Sequence, residues 1–334
     1  VYDGTGAAGR SADVLIGDEG TVTEIGPALT APDGAEVVDA TGCWVTPGFI
    51  DLHTHYDAEL EVAPALTESL RHGVTTVCMG SCSLSTAVGD ATDNADMDTR
   101  VEAIPYEHLL PLMKERKTWD NHAEYAEHLD SLPLGPNVSS FVGYSAVRSK
   151  VMGLERALDA QAEPTEAELE EMERTIEEGY DAGFLGLSLN GLYWDKMGGD
   201  RFRSKCLPST YASWKELRRM VRGVRKRGLN LQAIPNVSTK YQIFIYAAFS
   251  AGLFVRDALR TSIVSIMDIR SNRFIWRVLS GLGWAVNKLF GGKFRYQFLP
   301  VPFDLWADGF ENVVFEEFGA GAAGLHLETM AERR

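Results

Sequence analysis

A chain of 334 residues, 45% of them hydrophobic, is too long for one minimal domain and suits one large barrel with a small accessory part. Its 47 acidic and 32 basic side chains leave a net charge of −15, which repels phosphate backbones and argues against nucleic acid as the main partner. The opening, Val-Tyr-Asp-Gly-Thr-Gly, has no basic or apolar leader pattern, so a cytoplasmic location is expected, and Cys43, Cys78, Cys82 and Cys206 read as core residues or metal ligands before disulfides.

Residues 12–16, 22–26 and 36–39 read as short half-buried strands separated by turn residues. Three such strands cannot bury a core alone, so residues 1–46 are expected to need partner strands from beyond the end of this chain. From residue 47 onward strand and helix alternate. Strands are predicted at 48–53, 74–79, 137–142, 184–189, 229–234 and 261–267. The helices between them include 63–72, ended by Gly73, and a Glu-rich helix that starts at Pro164-Thr165 and is stopped by Gly183. Helices also follow at 213–227 and 243–255; the second is an apolar run about half as long as a membrane span. The acidic helix face and the arginines of 213–227 read as solvated. Residues 273–293 form a basic amphipathic helix, read as a lid or a subunit contact ahead of a membrane-surface helix. A homo-oligomer is therefore open.

Six strand–helix alternations imply parallel strands with helical crossovers. A closed β/α barrel and an open doubly wound sheet both fit. No glycine-rich phosphate fingerprint follows the first strand, which disfavours a dinucleotide fold.

Chemistry concentrates in Pro47-Gly-Phe-Ile-Asp-Leu-His-Thr-His-Tyr56. Residues two apart on a strand point the same way, so His53 and His55 share one side near the strand's carboxyl end. In a barrel, active sites sit at that end. Two imidazoles on a rigid strand make a clamp for a divalent metal.

The Gly-Phe-Ile-Asp-Leu-His-Thr-His string resembles the first barrel strand of the amidohydrolase superfamily. His72-Gly-Val-Thr-Thr-Val followed by Gly80-Ser-Cys-Ser83 resembles the D-aminoacylase pattern His-Gly-Val-Thr-Thr-Val…Gly-Asn-Cys-Gly. The stretch 137–148 is similar to that branch's Gly-His-Ser…Arg segment, and residues 182–188 to its Ala-Gly-Ala-Leu-Gly-Phe-Ser. The likeness runs to about residue 230 and weakens beyond it.

The resemblance implies a TIM-like β/α barrel over residues 47–334, truncated, beside a small N-terminal β-sandwich part over 1–46. It implies Zn²⁺ held by His53, His55 and Cys82, and Tyr193, Tyr144 and Ser188 as substrate-binding residues. A thiolate suits that role, since nearby Zn²⁺ drives off the thiol proton. The implied reaction is hydrolysis of a linear amide, the deacylation of a small-molecule N-acyl-D-amino acid.

The chain also departs from the family. The family's fifth and sixth strands each supply a histidine ligand; here they carry Gln232 and Asn236, then Asp268. Asp268 is the best substitute ligand, although pairing with a neighbouring arginine competes, and Gln232 or Asn236 offers a weaker carbonyl oxygen. His72, His108, His122, His128 and His326 read as structural or surface residues. The family's general-base aspartate is expected beyond residue 334. Two other functions remain open: a cyclic-amide hydrolase of the hydantoinase type, and an inactive barrel serving as a binding or scaffold protein.

Overall fold

A computed structural model of the chain describes residues 1–236, 241–253, 257–266 and 274–298. Strands β1 (Asp13–Ile16) and β2 (Val22–Gly26) pair antiparallel in a sheet of their own. Residues 36–39, expected as a third strand, form none. Val37 and Val38 are exposed there, and among the described residues no strand lies beside them to supply a ladder.

Among the described residues beyond 47, the named strands all pair parallel. β3 (Phe49–Asp51), β4 (Val74–Met79) and β5 (Asn137–Ser140) lie side by side in that order. β6 (Val142–Gly143), β7 (Gly186–Asn190), β8 (Asn230–Ile234), β9 (Arg260–Ile266) and β10 (Lys293–Phe298) continue the sequence. Only Phe141 separates β5 from β6, and it bridges them. Its N–H donates to the Met79 carbonyl at 2.9 Å, while Leu185 N–H donates to the Ser140 carbonyl at 2.8 Å. The strands therefore follow one another in chain order, without the reversal of a doubly wound sheet. The curl is tight enough that Gln297 of β10 lies 2.8 Å from His53, just past β3 and 244 residues away in sequence.

The connections are helical: α1 (Asp57–Leu60), α2 (Thr67–Arg71), α3 (Ala91–Val101), α4 (Tyr106–Arg116) and α5 (His122–Ser131) precede β5. α6 (Tyr144–Met152), α7 (Leu154–Ala157), α8 (Glu166–Asp181), α9 (Trp214–Arg227), α10 (Gln242–Ser250) and α11 (Ile275–Leu289) follow. Thr165 caps α8 in a reciprocal box with Glu168, and Ser213 caps α9. The face of α9 carrying Leu217, Met220, Val221 and Val224 is buried. Its arginines are not simply solvated as expected. Arg219 pairs with Glu173 at 2.7 Å, and Arg227 with Glu177 and Asp181 at 2.7 and 2.6 Å, so the acidic face of α8 is partly neutralised. Exposed pairs of this kind contribute only about 0–1 kcal/mol each. α11 buries Gly283 and Val286, but apolar Val278, Trp284 and Leu289 stay exposed, so its exposed face is not the purely basic one expected. Among the described residues no helix is long and apolar enough to cross a membrane.

Gly80 ends β4 with φ +67°, and a Cβ there would come within 2.2 Å of the Phe141 carbonyl oxygen. Gly183 also has positive φ, but a Cβ would meet nothing within 4 Å. Gly80→Ala should therefore cost at least about 3 kcal/mol, through backbone displacement. Gly183→Ala should cost about 1 kcal/mol, through conformational preference alone. Chemical denaturation of both variants checks the difference; equal losses would place β4 and Phe141 further apart than described.

Candidate metal centre

His53 and His55 lie just past the carboxyl end of β3, where a backbone bond from Thr54 N–H to the Cys78 carbonyl at 3.0 Å continues the pairing with β4. The Thr54 hydroxyl donates to the same carbonyl, fixing Thr54 inward. The flanking imidazoles turn together to the other side. Cys82 stands on the turn after β4, in the left-handed region at φ +56°, followed by Ser83 at +67°. Non-glycine residues adopt that conformation only where the surroundings impose it. Here the Cys82 N–H donates to the Gln232 side-chain carbonyl at 3.1 Å, and the Ser83 N–H donates to the Ser188 hydroxyl at 3.0 Å.

These backbone constraints aim three donor atoms at one point. His53 Nε2 lies 3.2 Å from His55 Nε2 and 3.1 Å from Cys82 Sγ. All three ligand atoms fall within 4.8 Å of one another. Two nitrogens bound at about 2.0–2.1 Å to a tetrahedral ion sit roughly 3.3 Å apart, which the imidazole pair matches. Two imidazoles and a thiol are also the donor chemistry that zinc favours. The centre opens on a cavity of about 380 Å³ lined by Asp51, Tyr56, Glu59 and Ile104 as well as by both histidines.

Partners behind the histidines orient them. His53 Nδ1 faces the Gln297 carbonyl oxygen at 2.8 Å, and His55 Nδ1 faces Glu102 at 3.1 Å. Donation of each Nδ1–H outward leaves each Nε2 lone pair facing the centre, as metal-binding histidines require. Burial holds the histidine pKa values down, that of His55 to about 3, so both rings are neutral near pH 7. Burial, reinforced by Asp195 and Glu102, pushes the Cys82 thiol well up. Glu102 is itself raised well above the carboxylate range, by burial and then by Asp98, Asp195 and Asp57. Asp195 is raised to about 6 by burial.

The other expected site residues are placed differently. Tyr144 is fully buried, and its hydroxyl donates to Glu216 at 2.5 Å beneath Arg148, so it belongs to the core and not to a substrate surface. Ser188 is also fully buried, donating to the Gly80 carbonyl at 2.5 Å; it supports the cysteine turn from behind. Tyr193 is exposed, with the Lys196 ammonium against its ring. Gln232 reaches the centre, but not as a ligand. Its carbonyl oxygen receives the Cys82 N–H and its amide donates to Ser81 at 3.2 Å. The backbone N–H of Asn236 is bonded to Gln242 at 2.7 Å. Asp268 and His326 lie outside the described residues. Glu102, Gln297 and Asp195 escaped sequence reasoning, because their roles arise from chain crossings with no local signature.

The amidohydrolase family profile matches residues 36–222, more than half of the chain, and the chain belongs to that family. Within it the similarity runs to the D-aminoacylases. The D-aminoacylase of Alcaligenes xylosoxydans xylosoxydans is 32% identical over 195 residues, 58% of this chain and 36% of that enzyme. An uncharacterized protein of Mycobacterium tuberculosis is 47% identical over 334 residues, 99% of this chain and 54% of that protein, so the chain spans about half the length of such relatives. Among solved structures, the zinc- and phosphonate-bound N-acyl-D-glutamate deacylase of Bordetella bronchiseptica superposes with a TM-score of 0.65 at 25% identity, over 90% of this chain and 56% of that one.

Two outcomes test the centre. With neutral histidines and a protonated thiol, zinc uptake near pH 7 must release at least about one proton, so affinity should rise about tenfold per pH unit. Competition with a chelator across neutral pH measures this; a pH-independent affinity would remove Cys82 from the ligand set. Gln232→Ala frees the Cys82 turn and should weaken zinc binding by about 10–100-fold, the range for loss of an orienting partner.

Proposed function

We propose that the chain is the zinc-binding barrel portion of a hydrolase that deacylates N-acyl-D-amino acids. The convergence of His53, His55 and Cys82, with ligand atoms within 4.8 Å of one another, carries this reading. Residues from about 47 onward form the barrel portion, and residues 1–46 belong to a small separate sheet that other strands complete.

A zinc ion at this centre supplies Lewis acidity toward the amide carbonyl and activation of a water molecule. The protein's residues provide the rest. His53, His55 and Cys82 hold the ion; Gln297 and Glu102 keep both Nε2 atoms facing it; Gln232 and Ser188 hold the strained cysteine turn. The proton acceptor is expected on the part of the protein downstream of this chain. A linear amide is favoured over a cyclic one by Cys82 in its Gly-x-Cys setting. One observation favours a second reading, a barrel that binds without turning over: Gln232 stands on the fifth barrel strand with its carbonyl oxygen committed to the Cys82 N–H.

The full-length protein loaded with zinc should hydrolyse N-acetyl-D-amino acids and leave the L-isomers. Cys82→Ala should lower zinc content and turnover together, turnover by at least about a hundredfold. Absence of turnover in zinc-loaded protein would favour the binding barrel.

A further inference from the structure

The loop following β7 lines a second cavity. Leu192 shares a small apolar cluster with Cys82 and Ile234, with Trp194 packed against it. Just beyond, a cavity of about 430 Å³ is lined by Tyr193, Lys196, Lys205, Cys206, Thr210 and Tyr211. No carboxylate is among its lining residues, although the chain carries 47 acidic side chains.

Lys196 is only 2% exposed. Its ammonium donates to Cys206 Sγ at 3.3 Å and sits 3.7 Å from the centre of the Tyr193 ring. It forms no ion pair with any described residue. The adjacent Asp195 is not paired with it; that carboxylate accepts from the Asn190 amide. A buried ammonium is costly unless an anion or several strong acceptors face it, and a thiol and a π-face offset only part of that cost. The walls are held in place: Lys196 and Cys206 form a backbone bridge, Cys206 N–H donates to the Tyr211 hydroxyl at 3.1 Å, and Gly198 N–H anchors the loop to the Asp96 carbonyl at 2.7 Å.

We infer that this cavity is a binding site for a small organic carboxylate, with Lys196 as its buried counter-charge and Lys205 at its rim. Phosphate is disfavoured as the ligand, because no arginine and no helix N-terminus lines the cavity.

Calorimetry with glutarate on the zinc-loaded full-length protein tests this without any turnover, so it stands or falls separately from hydrolysis. Glutarate should bind, its neutral counterpart glutaramide should not, and Lys196→Met should weaken glutarate at least about tenfold while Lys196→Arg retains it. Glutarate coordinated to zinc instead would be insensitive to Lys196→Met, which overturns the inference. Equal binding of glutaramide, no binding of glutarate, or displacement of glutarate by lower concentrations of inorganic phosphate overturns it as well. Lys205 is exposed, so Lys205→Met should fold even if Lys196→Met does not. It should weaken glutarate severalfold, and unchanged affinity would again refute the site.

Discussion

The hydrogen bond from the Cys82 N–H to the Gln232 side chain, 3.1 Å long and spanning 150 residues, is the constraint on which the centre depends. It ties the turn after the second barrel strand to the fifth strand across the barrel end. It helps hold Cys82 in a left-handed conformation that disfavours side chains by roughly 1–2 kcal/mol. Ser188 and Ser145 complete the restraint on Ser83, the first accepting its N–H and the second sharing a 2.6 Å hydroxyl contact. With the turn fixed, the thiol direction is fixed, and His53 and His55 meet it from β3. A glutamine that cannot act as an acid or a strong ligand thereby helps decide whether the three candidate ligand atoms converge.

The electrostatics around that centre are unbalanced in the bare protein. Asp57, Asp98 and Asp195 are buried and Glu102 is part-buried beside the cavity, and desolvation raises all four. Asp98, Asp195 and Asp57 act on Glu102, and Asp195 and Glu102 act on Cys82. Like charges held in a poorly hydrated region disfavour one another's ionisation. A divalent cation reverses each of these effects, stabilising the thiolate it binds and the carboxylates behind it. The acids form an outer layer suited to a cation, and the neutral histidines an inner one.

How much of this was legible depends on distance along the chain. The histidine pair could be read because alternation within one strand decides which side chains share a side. Most strand–helix alternations were legible for the same local reason. β10 was not: its alternating Lys-Phe-Arg-Tyr-Gln-Phe follows directly on the amphipathic α11, and its first residue was absorbed into that helix. Losing β10 hid Gln297, the partner that orients His53. Cys82 was reached through resemblance, which locates a residue but not the direction of its side chain. That limit explains Tyr144 and Ser188, which occupy matching positions yet point into the core. Gln232 looked like a weakened ligand in sequence; only the turn packed against it reveals a support.

X-ray absorption of the zinc-loaded full-length protein tests the three-residue centre most directly. The account predicts one sulfur at about 2.3 Å with nitrogen or oxygen neighbours at about 2.0–2.1 Å, and loss of the sulfur shell in Cys82→Ala. A shell of nitrogen and oxygen alone in the unaltered protein would contradict it.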